Sequence, residues 1–229
     1  MKQFTTDMSV SDIIDIDYSL LQVISRMGLD LKYSGLPVSE ACLRCGIDPD
    51  TFLLICNVYS FPDHVPSQAE LAVGDINDII GYLHNSHLYY TGQALKALED
   101  SFNRLVASFD ERQKKVVLKF FTDYKNELDK HFAYEEDVVF PYVRALGRDG
   151  AKTSEYSIEQ FEAHHENVEE KLEDMKSIVM KYLPGDCSGE QRIMVLLSIY
   201  HLQDDLRRHT YVENNILVPI VSGLERDGK

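Results

Sequence analysis

The chain is poor in the residues that interrupt helices. It has 12 glycines and 7 prolines in 229 residues, and they concentrate away from four long segments with helical apolar spacing. That scarcity suits long helices joined by short loops. Cysteine is also scarce, with four in this length, so no disulfide framework is expected. A reducing cytoplasm is the default compartment. No apolar run is long enough for a transmembrane helix. The opening stretch MKQFTTDMSVSDIID has no apolar core behind a basic start, so no secretory leader is expected. Basic residues are outnumbered 23 to 38, for a net charge of −15. That balance argues against nucleic acid, which needs a basic face, and against an anionic membrane surface. It describes a solvated helical exterior and says little about substrate. The hydrophobic fraction of 44% is ordinary for a soluble protein with ample core.

One short pattern occurs twice. His131-Phe-Ala-Tyr-Glu135 is followed by Pro141, and His209-Thr-Tyr-Val-Glu213 by Pro219. Both copies read His-x3-Glu-x5-Pro, 78 residues apart. Positions i and i+4 of a helix lie one above the other, so each copy aims an imidazole and a carboxylate in one direction. Around the first copy the apolar series is Val117, Phe121, Tyr124, Leu128, His131, Glu135, Val138, Tyr142. Around the second it is Val195, Ile199, Leu202, Leu206, His209, Glu213, Ile216, Ile220. Steps of three and four mark the core face of an amphipathic helix. Burying an unpaired carboxylate costs several kcal/mol. A single His–Glu pair is satisfied by its own hydrogen bond. Two matched pairs on two core stripes supply two nitrogens and two carboxylates, enough to begin a two-metal site.

Further histidines extend the set. Phe161, His165, Val168, Leu172, Met175 and Val179 form a third stripe, which selects His165 and leaves His164 on a polar face with Gln160, Asn167 and Lys171. A fourth stripe runs Val73, Ile76, Ile80, Leu83 or His84, His87, Thr91, Leu95, Leu98, Phe102. Periodicity alone does not separate His84 from His87. His201 is about 80° off its stripe, since eight residues advance roughly 800°, so a surface position is expected. His64 sits in a Pro-flanked connector.

The chain divides near its connector, Phe61-Pro-Asp-His-Val-Pro66. Residues 1–62 are expected to form a small helical N-terminal domain, 63–70 a linker and 71–229 a four-helix bundle. Before the connector, a helix ends near Gly28, another runs through Val38–Cys45 to Gly46, and a third starts after Asp48-Pro49, where Asp caps and Pro fits the first turn. The long helices are expected at about 72–108, 111–146, 155–182 and 189–222. Pro141 and Pro219 predict a kink or helix end just past the two glutamates. Helix–Gly46–helix has the outline of a DNA-binding helix-turn-helix, but residues 1–62 carry four basic against eight acidic residues, which disfavours that use. Cys42-Leu-Arg-Cys45 is a lone CxxC. A redox dithiol or half a zinc site is the functional option, and two partly buried thiols the simpler reading.

Taken together, His84-x2-His87, His131-x3-Glu135, His165-Glu166 and His209-x3-Glu213 on four long helices resemble the hemerythrin-like HHE domain. The resemblance is closest to the di-iron proteins that repair damaged iron–sulfur centres. It covers the whole chain, and the stretch Asp204-Asp-Leu-Arg-Arg-His209 through Pro219 looks much like that family's last metal helix. It implies an all-α, up-down four-helix bundle behind a small helical domain. It further implies His84, His131, His165 and His209 as ligands of two iron ions, with Glu135 and Glu213 as bridges beside an oxo bridge. The resemblance favours His84 over His87. One departure stands out. The family's N-terminal domain usually carries two adjacent cysteines, and the matching stretch Met27–Gly35 has none. That puts in doubt any role requiring those thiols.

Imidazole and carboxylate ligands suit iron, manganese or zinc. The wider spacing and reversed order separate this pattern from the Glu-x2-His motifs of ferritin-like bundles. The expected function is a cytoplasmic non-haem di-iron protein of nitrosative or oxidative stress. It would bind or reduce NO, or supply iron to damaged iron–sulfur proteins. The alternative is a non-catalytic protein that binds or senses O2 or NO. No nucleic-acid or membrane partner is expected, and the sequence does not address oligomeric state.

Overall fold

The computed structural model describes residues 3–149, 156–164, 168–184 and 187–227. No β-strand occurs among them; the only extended pairing there is one bridge between Ser9 and Pro37. Also among the described residues, no helix is long and apolar enough to cross a membrane. The chain divides into two compact units. One comprises Met1–Ser86, Val138–Glu162 and Arg208–Lys229, the other His87–Asp137 and Ala163–Arg207.

The N-terminal segment forms short helices: α1 (Val10–Ile16), α2 (Leu20–Met27), α3 (Val38–Cys45), α4 (Pro49–Ser60) and α5 (Gln68–Ala72). Their ends follow local chemistry. Gly28 and Gly46 close α2 and α3 with φ of 75° and 72°, a left-handed geometry that glycine adopts without a Cβ clash. Asp48 caps α4 by accepting from the Thr51 N–H at 2.8 Å, and Pro49 occupies the first turn, where its missing N–H has no helical partner to lose. Helix α5 falls at the end of the expected connector, started by a Ser67/Glu70 capping box. Cys42 and Cys56 are buried packing residues. Burial pushes the Cys42 thiol up to about 12 and the Cys56 thiol well above its ordinary value, which makes both poor nucleophiles.

The long helices follow as α6 (Ile76–Tyr89) with α7 (Leu95–Leu105), α8 (Glu111–Tyr134) with α9 (Phe140–Asp149), α10 (Ile158–His164), α11 (Val168–Ser177), and α12 (Gly189–Val212) with α13 (Val218–Asp227). Asp110 starts α8 in a reciprocal pair, accepting from the Gln113 N–H at 2.8 Å while Gln113 accepts from its own at 3.2 Å. Among the described residues, wide π-turns interrupt these helices at Tyr90–Ala94, Glu135–Val139 and Glu213–Leu217, and another ends α11 at Ile178–Tyr182. The expected kink or stop beyond the glutamates therefore takes a specific form: the helix widens for one turn and then continues. A proline in a regular helix clashes with the carbonyl four residues back and leaves it without a donor. Pro141 and Pro219 each fall two residues past a wide turn, where the helix has already changed its bonding pattern.

The extra residue in each π-turn also shifts the buried face. Beyond Glu135 the sequence period selects Val138 and Tyr142. In the structure Tyr142 is buried as selected, whereas Val138 is 38% exposed and Val139, Val143 and Leu146 are buried instead. Beyond Glu213 Ile216 is buried as the period selects, Leu217, Val218 and Val221 are buried as well, and Ile220 is only half-buried. Around the first π-turn Tyr90 is buried and Thr91 exposed. In the unit of residues 87–137 and 163–207, a single apolar core includes Leu98, Phe102, Phe121, Leu128, Leu172 and Ile199. Each such side chain contributes about 1.5–3 kcal/mol on burial. In the other unit Ile13, Val23, Phe52 and Ile55 are fully enclosed. There Arg208 donates to Asp17 at 3.1 Å and to the Tyr59 carbonyl at 2.9 Å.

Candidate metal centre

Glu135 is the focus of one unit. It is the first residue of its π-turn and fully buried. Helix α8 places His131 one turn earlier on the same face, and its Nε2 lies 3.0 Å from Glu135 Oε1. The end of α6 brings His87 to the other oxygen, with Nε2 2.9 Å from Glu135 Oε2. His87 Nδ1 lies 2.7 Å from Glu136 Oε1. The His87 ring stacks on Phe132, centroids 4.2 Å apart and planes 21° apart, and Tyr90 stacks on the same Phe132 at 5.6 Å. The Tyr90 hydroxyl donates to the Asp205 carbonyl at 3.2 Å. Aromatic contacts and a carboxylate thus fix the imidazole.

The other unit holds the second copy of the motif. His209 and Glu213 are both buried, at 1% and 0% exposure, and His209 Nε2 lies 3.1 Å from Glu213 Oε1. Glu213, like Glu135, is the first residue of a π-turn. His84 is half-buried on α6, one turn before His87. His165 lies outside the described residues, and with it the choice between His165 and His164. His201 is exposed. His64 contacts Gln3 and Glu70. Glu136 did not stand out by periodicity. The signal that could have found it is the second acidic residue directly after Glu135, half-buried and within reach of His87.

In each unit an enclosed carboxylate facing imidazole nitrogen offers donors that fit a divalent transition ion. An ionised carboxylate is tolerable in a core only beside positive charge and hydrogen-bond donors, and mixed nitrogen and oxygen donors suit iron, manganese or zinc.

The chain is an all-α protein with paired histidine and glutamate side chains on long helices. The hemerythrin HHE cation binding domain matches residues 90–221, more than half of the chain. The chain belongs to the hemerythrin HHE family, and its fold is that family's four-helix bundle behind short N-terminal helices. It is also similar to the iron–sulfur cluster repair proteins YtfE of Salmonella newport and Salmonella agona, each 28% identical over 104 residues. That match covers 45% of this chain and 46% of each relative. The chain thus spans about half the length of the curated relatives it matches.

Proposed function

We propose that the chain is a cytoplasmic non-haem di-iron protein of the nitrosative and oxidative stress response. It binds or reduces NO, or supplies iron for the repair of iron–sulfur clusters. The observation that carries this reading is Glu135, wholly buried with an imidazole Nε2 at each of its two oxygens. A carboxylate so flanked is suited to bridge two cations. The hemerythrin HHE match and the similarity to iron–sulfur repair proteins support iron as the metal and cluster repair as the setting. In this reading His84, His131, His165 and His209 hold the ions and Glu135 and Glu213 bridge them. The bundle occupies 71–229, the small helical domain 1–62 and the linker 63–70. Iron there would supply reversible one-electron redox chemistry and an open position for a diatomic ligand. The protein's residues would supply burial, imidazole donors and a dry apolar wall.

The second reading is non-catalytic binding or sensing of NO or O2. The test is NO consumption by the iron-loaded, reduced chain with excess reductant. Catalysis predicts continued consumption and nitrous oxide release well past about two NO per chain, the capacity of a two-metal site. Consumption that stops at that stoichiometry supports binding alone.

A further inference from the structure

Of the residues around Glu135, His87 and Glu136 have no role in the ligand set that the resemblance implies. We propose that His87 is itself a metal ligand, on the Oε2 side of Glu135, and that Glu136 is the positioning carboxylate that fixes its ring. The inference rests on the cation-centre reading above and adds a residue pair to it.

A neutral imidazole carries one N–H and one lone pair. His87 lies between two carboxylates, with Nδ1 2.7 Å from Glu136 Oε1 and Nε2 2.9 Å from Glu135 Oε2. When Nδ1–H donates to Glu136, the Nε2 lone pair faces a carboxylate oxygen. Two acceptors at that distance call for positive charge, from a second proton on the ring or, as proposed here, from a metal ion. Metal-bound histidines usually donate their other ring N–H to a carboxylate, which sets the tautomer and raises basicity. Glu136 fills that role here, and its side chain keeps 31% of its exposure while His87 keeps 4% and Glu135 none. The deeper nitrogen therefore points at the enclosed carboxylate and the outer one at the wetter.

The other half of Glu135 provides an internal comparison. His131 meets Oε1 through the same ring atom, Nε2, at 3.0 Å. Glu135 thus has one imidazole Nε2 at each oxygen, and His87 matches a residue of the repeated motif in atom and distance. The Phe132 stack holds the ring in place. His84, one turn earlier on α6, differs from His87 in being only half-buried.

The experiment is a titration of the full chain with cobalt(II), followed by visible ligand-field absorption and metal analysis. It compares wild type, His87→Ala, Glu136→Gln and, as a control on the repeated motif, His131→Ala. Circular dichroism of each metal-free variant reports folding. We expect wild type to bind two equivalents, about the capacity of a two-metal site. His87→Ala should lose one equivalent or weaken that step at least roughly tenfold, with an altered spectrum for the remaining ion. Glu136→Gln should keep the stoichiometry and weaken the same step by roughly 10- to 100-fold, as outer-sphere carboxylate changes do. A His87→Ala variant that titrates with wild-type affinity and spectrum overturns the proposal while leaving the centre intact. Wild type that takes up no cobalt overturns the underlying cation-centre reading. Should His87→Ala fail to fold, Glu136→Gln decides, and an unchanged second step in that variant overturns the proposal.

Discussion

At the scale of single residues, buried charge separates what periodicity can read from what it cannot. His131, Glu135, His209 and Glu213 sit on apolar stripes whose spacing is regular up to each glutamate, so their inward direction is legible from sequence. His87 is not separable from His84 in the same way, because both lie within one turn of the stripe and the helix changes register at Tyr90. The Glu136 contact is a tertiary fact whose local mark is no more than a second acidic residue directly after Glu135. Arg208 and Asp17 are similar: 191 residues apart, they meet within one unit. Burial raises the Asp17 pKa, but hydrogen bonds from Ser19 and the charge of Arg208 outweigh it, so the carboxyl titrates below its ordinary value of 3.8. A depressed carboxyl stabilises the fold above its unfolded value, and that contribution fades as pH falls through the lower folded one. Asp17→Asn should therefore cost about 1–2 kcal/mol near neutral pH. The difference from wild type should shrink steadily below about pH 4. Urea unfolding at pH 7, 4 and 3 checks this, and a difference that does not vary with pH would contradict it.

At the scale of elements, helix ends and caps in residues 1–62 follow from Gly28, Gly46, Asp48 and Pro49, and are readable one by one. The π-turns are not readable from apolar spacing, because a period of 3.6 assumes an uninterrupted α-helix. Their trace lies in the prolines. Pro141, Pro184 and Pro219 each fall two residues past a π-turn, at Val139, Tyr182 and Leu217. The turn at Tyr90–Ala94 has no such proline. Wide turns recur at functional sites, and here Glu135 and Glu213 each open one. We expect the prolines to hold these turns open by penalising the straight helix by about 3 kcal/mol. Pro141→Ala removes that penalty and lets the turn narrow. Helix content should stay unchanged while metal affinity falls roughly tenfold, about 1.4 kcal/mol. Circular dichroism and metal competition together test it. Affinity equal to wild type would show that the turn stands without its proline.

At the scale of the whole molecule, the all-α class is the most legible property, since four amphipathic segments with few breakers leave no other way to bury their stripes. The division into units that join N-terminal helices with the ends of later ones is not legible, because it depends on contacts between segments distant in sequence. The acidic balance of −15 acts only at this scale, through solubility and repulsion from polyanions. The proposed two-metal centre also belongs at this scale. The most direct test is metal analysis of the intact chain, produced under iron-replete conditions and purified without chelators. The account predicts close to two iron atoms per chain, about the content of a two-metal site. Fewer than about one transition-metal ion per chain would contradict it, because a two-metal centre with enclosed carboxylate bridges cannot be assembled from less.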